Sequence, residues 1–389
     1  MAIRGVYSDD EEKLLAEFEK NADTRVGWVK PGRSGAVATA EAIKSSGMTA
    51  DPWNPLWHVE QYGIATRWGS IIANPWYAET FKPNERLPDV PSWVGFRMFY
   101  LLGNDNELFR PIRPGDTIRA WARRPTLTDA TSLDGKGPRI FHYIDVDADL
   151  INQRDEVVCT YKQWVYLLYL DKQPDPPIMI PEYGYTAEEL DYIHKLVEEE
   201  EIRGAKIRYW EDVNVGDEPK PVVLGPTNLD LTQSFGTPDY NEVPPRKLRK
   251  YIKENYAPIA SPYVKDSVTG LFYTHVFGRH GSDRAAQFEG EPHAFLFART
   301  VRNSMTRLVT NWIGDDGFIR KYKWRHIYRT PNGDCLINRG KVVKKYIENG
   351  EHLVDLKVWT DDMRGNVTEV SYATVKLVSK NEPYPDVKR

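Results

Sequence analysis

Strict alternation of apolar and polar residues marks two pairs of long segments. Residues 141–150 (FHYIDVDADL) and 156–170 (EVVCTYKQWVYLLYL) flank a polar turn at Asn152–Asp155. Residues 352–359 (HLVDLKVW) and 367–378 (VTEVSYATVKLV) flank another at Asp362–Asn366. A period of two with polar turn residues between predicts antiparallel hairpins with one buried face. A different period governs residues 301–312, where Val301, Met305, Leu308, Val309 and Trp312 fall at helical spacing and Gly314 stands where the helix should end. In the first half Asn74-Pro75 supplies an N-cap followed by proline at the first helical position, which predicts a matching helix there. Thr186 with Glu189 three residues on forms a capping box, so an acidic helix is predicted from Ala187 to Glu201.

These elements recur. Gly69 precedes Gly115 by 46 residues, and Gly290 precedes Gly333 by 43, so the halves are offset by 221 and 218 residues. Each Gly-Asp turn (Gly115-Asp116, Gly333-Asp334) opens into the long hairpin segments. An internal duplication follows, with one unit used twice. The predicted class is α+β, each unit an antiparallel sheet wrapped around a long central helix. The units are read as residues 1–170 and 206–389, joined by a linker over 171–205 that begins proline-rich (DKQPDPPIMIPE) and contains the acidic helix. Residues 236–274 read as an insertion in the second unit, a partner contact or a lid.

Composition narrows the function. A chain of 389 residues that is 41% hydrophobic and 12% aromatic can bury a large core without disulfides or metals. A net charge of −4, thinly spread, argues against nucleic acid as a partner. Cys159 and Cys335 are lone thiols with no metal-ligand spacing, and no apolar run approaches 18 residues. The expected location is cytoplasmic, with no membrane contact. Glycine-rich phosphate loops, HExxH and Gly-x-Ser-x-Gly are absent. Neither a metal nor a tightly bound redox cofactor is expected.

One stretch carries a more specific pattern. It reads Asp51-Pro52-Trp53-Asn54-Pro55-Leu56-Trp57-His58, then Tyr62, then Arg67-Trp68-Gly69-Ser70-Ile71-Ile72-Ala73-Asn74-Pro75. The second half adds Tyr209-Trp210-Glu211-Asp212-Val213, Val215-Gly216-Asp217 and Thr310-Asn311-Trp312-Ile313-Gly314-Asp315-Asp316-Gly317. Over roughly residues 35–380 the chain resembles the MaoC-like acyl-CoA hydratases and dehydratases of double hot-dog type. That resemblance implies addition or removal of water at a 2-enoyl or 3-hydroxyacyl thioester, with an Asp and a His sharing one water. It also implies backbone amides at a helix N-terminus to stabilise the thioester oxygen. Coenzyme A enters as part of the substrate, and a homodimer or a hetero-oligomer with a related subunit is implied.

In the first half the family's histidine position aligns with Trp57, and His58 falls one residue late. This half reads as the non-catalytic copy that shapes the acyl pocket, with Asp51, Asn54, Trp57, His58 and Asn74 as substrate-binding residues. Trp53, Trp68, Trp76 and Tyr77 add aromatic bulk there and suggest a bulky or ring-bearing acyl group. In the second half, aligning on Gly290 places His280 at the signature position. His275 stands where the family has Asp, and Asp283 is set to orient a ring. His280, His275 and Asp283 are the predicted catalytic set, since imidazole titrates near neutral pH. His293 and Arg299 join the substrate-binding set. Arg110, Arg113, Arg119, Arg329 and Arg339 flank the Gly-Asp turns as candidate phosphate contacts. The run Arg320–His326 reads first as a solvated strand face. Two other readings fit the same residues: a non-catalytic subunit completed by a partner chain, and a hot-dog thioesterase using Asp283 or Glu291.

Overall fold

The computed structural model describes residues 2–29, 36–83, 96–172, 183–227, 264–265, 272–273, 279–281, 283–287 and 290–381. Most of the 236–274 insertion, and His275, lie outside them.

Among the described residues the chain forms thirteen strands, numbered in chain order. They are β1 (Gly27–Val29), β2 (Phe96–Leu108), β3 (Arg119–Ala122), β4 (Thr126–Asp129), β5 (Arg139–Ile151), β6 (Val157–Leu170), β7 (Val222–Leu224), β8 (Val264–Lys265), β9 (Phe272–Tyr273), β10 (Phe318–His326), β11 (Leu336–Glu348), β12 (Glu351–Asp362) and β13 (Val367–Lys376). The helices are α1 (Asp9–Ala22), α2 (Ala40–Ala50), α3 (Glu60–Ala65), α4 (Ala187–Glu198), α5 (Asp283–Gln287) and α6 (Ala298–Ile313). None is long and apolar enough to cross a membrane.

Eleven strands join one sheet in the order β1-β3-β5-β6-β2-β10-β13-β12-β11-β7, with β4 also on β5; β8 and β9 pair separately. The order reads the same from either end once each strand is exchanged for its counterpart in the other half, so the repeat seen in the sequence is a pseudo-twofold in space. Its centre is the antiparallel pair β2–β10, with Lys321 opposite Glu107 and Arg325 opposite Gly103. Arg325 bonds Asp105 across this seam at 2.9 Å. Gly103 is required there, because a Cβ would lie 2.5 Å from the Trp324 carbonyl oxygen. Pairing β2 with β10 also covers one edge strand from each half.

Equivalent short contacts repeat on both sides. The Ala73 amide donates to the Ile112 carbonyl and the Leu296 amide to the Thr330 carbonyl, each at 2.9 Å. Asp116 N bonds Arg113 O, as Asp334 N bonds Pro331 O. Both hairpins form where alternation predicts them, and the capping box of α4 is present in both directions. That helix ends at Glu198, three residues short of Glu201.

The predicted α6 forms with Val301, Met305, Leu308, Val309 and Trp312 all buried, and Gly314 ends it at φ +71°. Each such side chain contributes roughly 1.5–3 kcal/mol of gross burial energy. The first half departs from expectation. After Asn74-Pro75 the chain makes a single 3-10 turn, Tyr77–Phe81, and no α-helix forms over the described residues 74–83. Trp76, Tyr77 and Phe81 instead pack into the same core as Met305 and Trp312. Trp76 Nε1 donates to Thr306 Oγ1 at 2.7 Å, and its ring meets Tyr322 edge-on. α6 and, through Ile43, α2 thus serve a core fed by both halves, while α1 lays Leu14, Phe18 and Ala22 against Phe141, Tyr143 and Leu167 in a separate cluster.

Candidate active site

The sequence-predicted residues gather at two ends of α6. At its N-terminus, residues 294–296 lie beside 330–332, with Phe295 bridged to Pro331. His280 packs here. Its ring stacks on Phe297, the N-cap of α6, at 3.9 Å between centroids, and meets Phe295 edge-on at 4.7 Å. Nδ1 of His280 lies 2.6 Å from the Phe295 carbonyl oxygen. A carbonyl can only accept, so Nδ1 carries the proton of the neutral ring and the lone pair sits on Nε2. Phe297 provides no side-chain cap, leaving the first-turn amides of α6 without one from their own N-cap residue.

Asp283 opens α5 in the same neighbourhood. Its Oδ1 accepts from Ala294 N at 2.7 Å, and its Oδ2 lies 3.2 Å from Nδ1 of His293. His293 is buried, whereas the Asp283 side chain is 41% exposed. The ring that Asp283 meets in this structure is therefore that of His293. Arg299, on the first turn of α6, is exposed and reaches Glu79 at 3.2 Å. Arg279 donates to the Phe99 carbonyl and stacks over Tyr100, fastening this segment to β2.

The C-terminal end of α6 borders a cleft enclosing about 650 Å³, open mouth included. Asn54, Trp57 and Asn74 line it together with Ile313, Asp315 and Phe318. Trp57 is the one predicted aromatic in this wall; Trp53 is exposed, and Trp76 is buried against the Arg302 guanidinium, 3.7 Å above its ring. Asn54 caps the 3-10 turn Pro55–Trp57 by accepting from Leu56 N. Asn74 accepts from Trp76 N and donates to Ser46, so it caps a turn rather than a helix. By the repeated backbone contacts, the Asn74-Pro75 wall is the first-half counterpart of the α6 N-terminus. The first half supplies most of the cleft wall and a buried tryptophan; the second supplies the rest of that wall and the histidine.

Asp51 is 1% exposed. Its Oδ1 accepts from Trp53 N, and its Oδ2 has no hydrogen-bond partner. Burial pushes its carboxyl above the usual range, against the opposing charge of Arg307. Arg307 is itself bonded to Glu200 at 2.7 Å. His58 places Nε2 3.1 Å from the Pro52 carbonyl. The five arginines proposed for phosphates each have a partner within the protein, Arg110 with Glu156, Arg113 with Trp68 O and Ser70, Arg119 with Asp155, Arg329 with Glu291 and Arg339 with Asp361, and of these Arg110 lines the cleft.

Two polar groups on the α6-facing side were not singled out by sequence. Arg302, fully buried, bonds Glu79 at 2.6 Å and Asn104 at 3.0 Å, and Lys82, Gln163 and Asp145 extend this network. The second corrects the reading of residues 320–326 as a solvated face. Tyr322 and Trp324 are buried, and His326, next in the same alternation, pairs with the buried carboxylate of Glu369. The signal lay in the spacing Tyr322, Trp324, His326 within a charged run.

No family model and no curated protein matches this sequence. Solved structures do. A MaoC-like dehydratase aligns at TM-score 0.55 and 14% identity over 92% of this chain and 99% of its own. A putative MaoC domain protein dehydratase from Chloroflexus aurantiacus J-10-fl aligns at TM-score 0.51 and 13% identity, covering 91% of this chain and 95% of its own. The pseudo-twofold sheet and its central helix agree with that likeness, and this chain is a double hot-dog protein built on the plan of the MaoC-like dehydratases.

Proposed function

We propose that this chain is a hydro-lyase of the hydratase/dehydratase type, acting on a 2-enoyl or 3-hydroxyacyl thioester of coenzyme A at the N-terminus of α6. The observation that carries the reading is His280, held by the Phe295 carbonyl in the tautomer whose Nε2 can accept a proton. In hydration, the water oxygen bonds to Cβ of the enoyl group and its proton passes to Nε2 of His280. The thioester oxygen, which gains negative charge, is stabilised by the first-turn amides of α6. Return of that proton from Nε2 of His280 to Cα completes the addition and leaves the ring neutral again. His293, oriented by Asp283, and Arg299 stand at the same helix end as substrate contacts. The double hot-dog plan shared with MaoC-like dehydratases supports this class of reaction.

The test is a panel of 2-enoyl-CoA thioesters, including crotonyl-CoA and an aromatic enoyl-CoA, with products identified by mass. Gain of one water supports the proposal. Release of free coenzyme A assigns a thioesterase instead, and no turnover of any thioester assigns a subunit that needs a partner chain.

A further inference from the structure

The second-half sheet has an inner face on α6 and an outer one, and alternation assigns each residue to one of them. On β13, Ser371, Ala373 and Val375 are buried on the α6 side, and Tyr372 stands between them on the outer face, 49% exposed. Register aligns one row across four strands of that outer face. Lys323 on β10 is opposite Tyr372, Tyr372 is opposite Lys357 on β12, and Lys357 is opposite Lys341 on β11. All four residues are exposed. Neighbouring strands lie about 4.8 Å apart, so the ring has a cation on each side and a third one strand further on.

The acids of this face are engaged. Asp105 is bonded to Arg325 at 2.9 Å and Asp361 to Arg339 at 3.1 Å, and Asp355 accepts from the hydroxyls of Tyr346 and Thr374. Lys341 meets Glu218 at 3.3 Å, with the two side chains 50% and 63% exposed. Among the described residues neither Lys323 nor Lys357 has an acidic partner. Sheet stability does not account for the row, because like charges directly opposite, as on Lys341 and Lys357, are destabilising. Lysine guards edge strands against pairing with another chain, but β10, β13 and β12 are interior strands. The chain as a whole carries a net charge of −4, so the positive row is a local concentration.

We propose that this outer face binds a nucleoside phosphate, with the base stacked on the Tyr372 ring and the phosphates held by Lys323, Lys357 and Lys341. The row meets both parts of such a ligand. Every base has a π face to lay on an exposed aromatic ring, and lysine supplies the point charge that phosphate needs. An acidic peptide or a lipid headgroup would use the lysines and leave the ring idle. A free nucleotide and the nucleotide end of coenzyme A offer the same chemistry. The inference stands without the hydratase reading, since no step of that reaction uses this row.

The experiment titrates the full chain by calorimetry with ATP, with coenzyme A and with inorganic tripolyphosphate. Binding of ATP or coenzyme A that weakens by about tenfold in Y372A, recovers in Y372F and falls with added salt supports the proposal. Tighter binding of ATP then identifies a free nucleotide as the source, and tighter binding of coenzyme A the carrier. The double variant K323A/K357A should also weaken the same ligand by about tenfold or more. Tripolyphosphate that binds as tightly as ATP shows that charge alone acts, and overturns the stacked site. Nucleotide binding that neither Y372A nor K323A/K357A alters lies elsewhere and overturns it, as does no binding at low ionic strength. A short oligothymidylate that binds through Tyr372 far more tightly than ATP gives the face to single-stranded nucleic acid and also overturns it. Circular dichroism checks that the variants fold. If Y372A does not, the wild-type preference for ATP over tripolyphosphate, together with K323A/K357A, decides.

Discussion

The Phe295 carbonyl oxygen stands 2.6 Å from Nδ1 of His280, and this contact fixes which nitrogen of the ring can act as a base. Under the hydratase reading, His280→Ala should reduce kcat by about two to four powers of ten, the usual size of an acid–base contribution. The fold should survive, since the ring is only half-buried. His58→Ala, whose Nε2 meets the Pro52 carbonyl in the other half, should change turnover much less. Initial rates on the hydrated thioester decide both. Wild-type activity in His280→Ala together with loss in His58→Ala would reverse the assignment of the two halves.

Asp283 links α5 to the segment before α6 through the buried Ala294 amide and His293. Asp283→Ala leaves that amide without its acceptor, which should cost about 1–3 kcal/mol of stability. Urea unfolding measures the loss, and Asp283→Asn, which keeps an acceptor oxygen, should recover part of it.

Burial lifts the Asp145 carboxyl to about 6, against the pull of the Lys82 ammonium. An acid raised in the folded state binds a proton there that the unfolded chain has already released. Between about pH 4 and 6 the folded state therefore holds more protons, and stability falls as pH rises through that window, by at most about 3 kcal/mol. Asp145→Asn should flatten this slope and be the more stable protein at neutral pH. Free energies of urea unfolding at several pH values from 4 to 7 (about one unit apart) test the sign.

Gly314 ends α6 at φ +71°, and a Cβ there would lie 2.9 Å from the Gly204 carbonyl oxygen. Gly314→Ala meets both a strained backbone and a backbone clash, so it should destabilise by more than about 1 kcal/mol. Because Gly314 also lines the cleft, the same variant should weaken binding of any ligand held there. An unchanged urea midpoint would show that the helix end shifts without cost.

What the sequence determines by itself is periodic or local. The hairpins β5–β6 and β12–β13, the buried stripe of α6 from Val301 to Trp312, the Thr186–Glu189 capping box and the two Gly-Asp turns are each set by spacings within one short segment. A backbone of fixed period makes such spacings readable, and their repetition at a constant offset announces the duplication. The resemblance also drew His280, Asp283 and His293 to one place, and the tertiary structure puts all three near the start of α6.

The first-half helix shows where that reading stops. Asn74-Pro75 is a valid start signal, but a start signal carries no length, and Trp76, Tyr77 and Phe81 fill the core beside α6 from a single 3-10 turn. The pairings of charged groups are of the same kind. Arg302 follows a core position on α6, and its burial depends on Glu79, more than 200 residues earlier in the chain. Alternation turns His326 and Glu369 inward, but only the register of β10 against β13 brings them into contact. A buried charge is tolerated only where a partner meets it. For these residues the partner comes from a distant segment, so the tertiary structure alone decides which charges lie inside and what they can do.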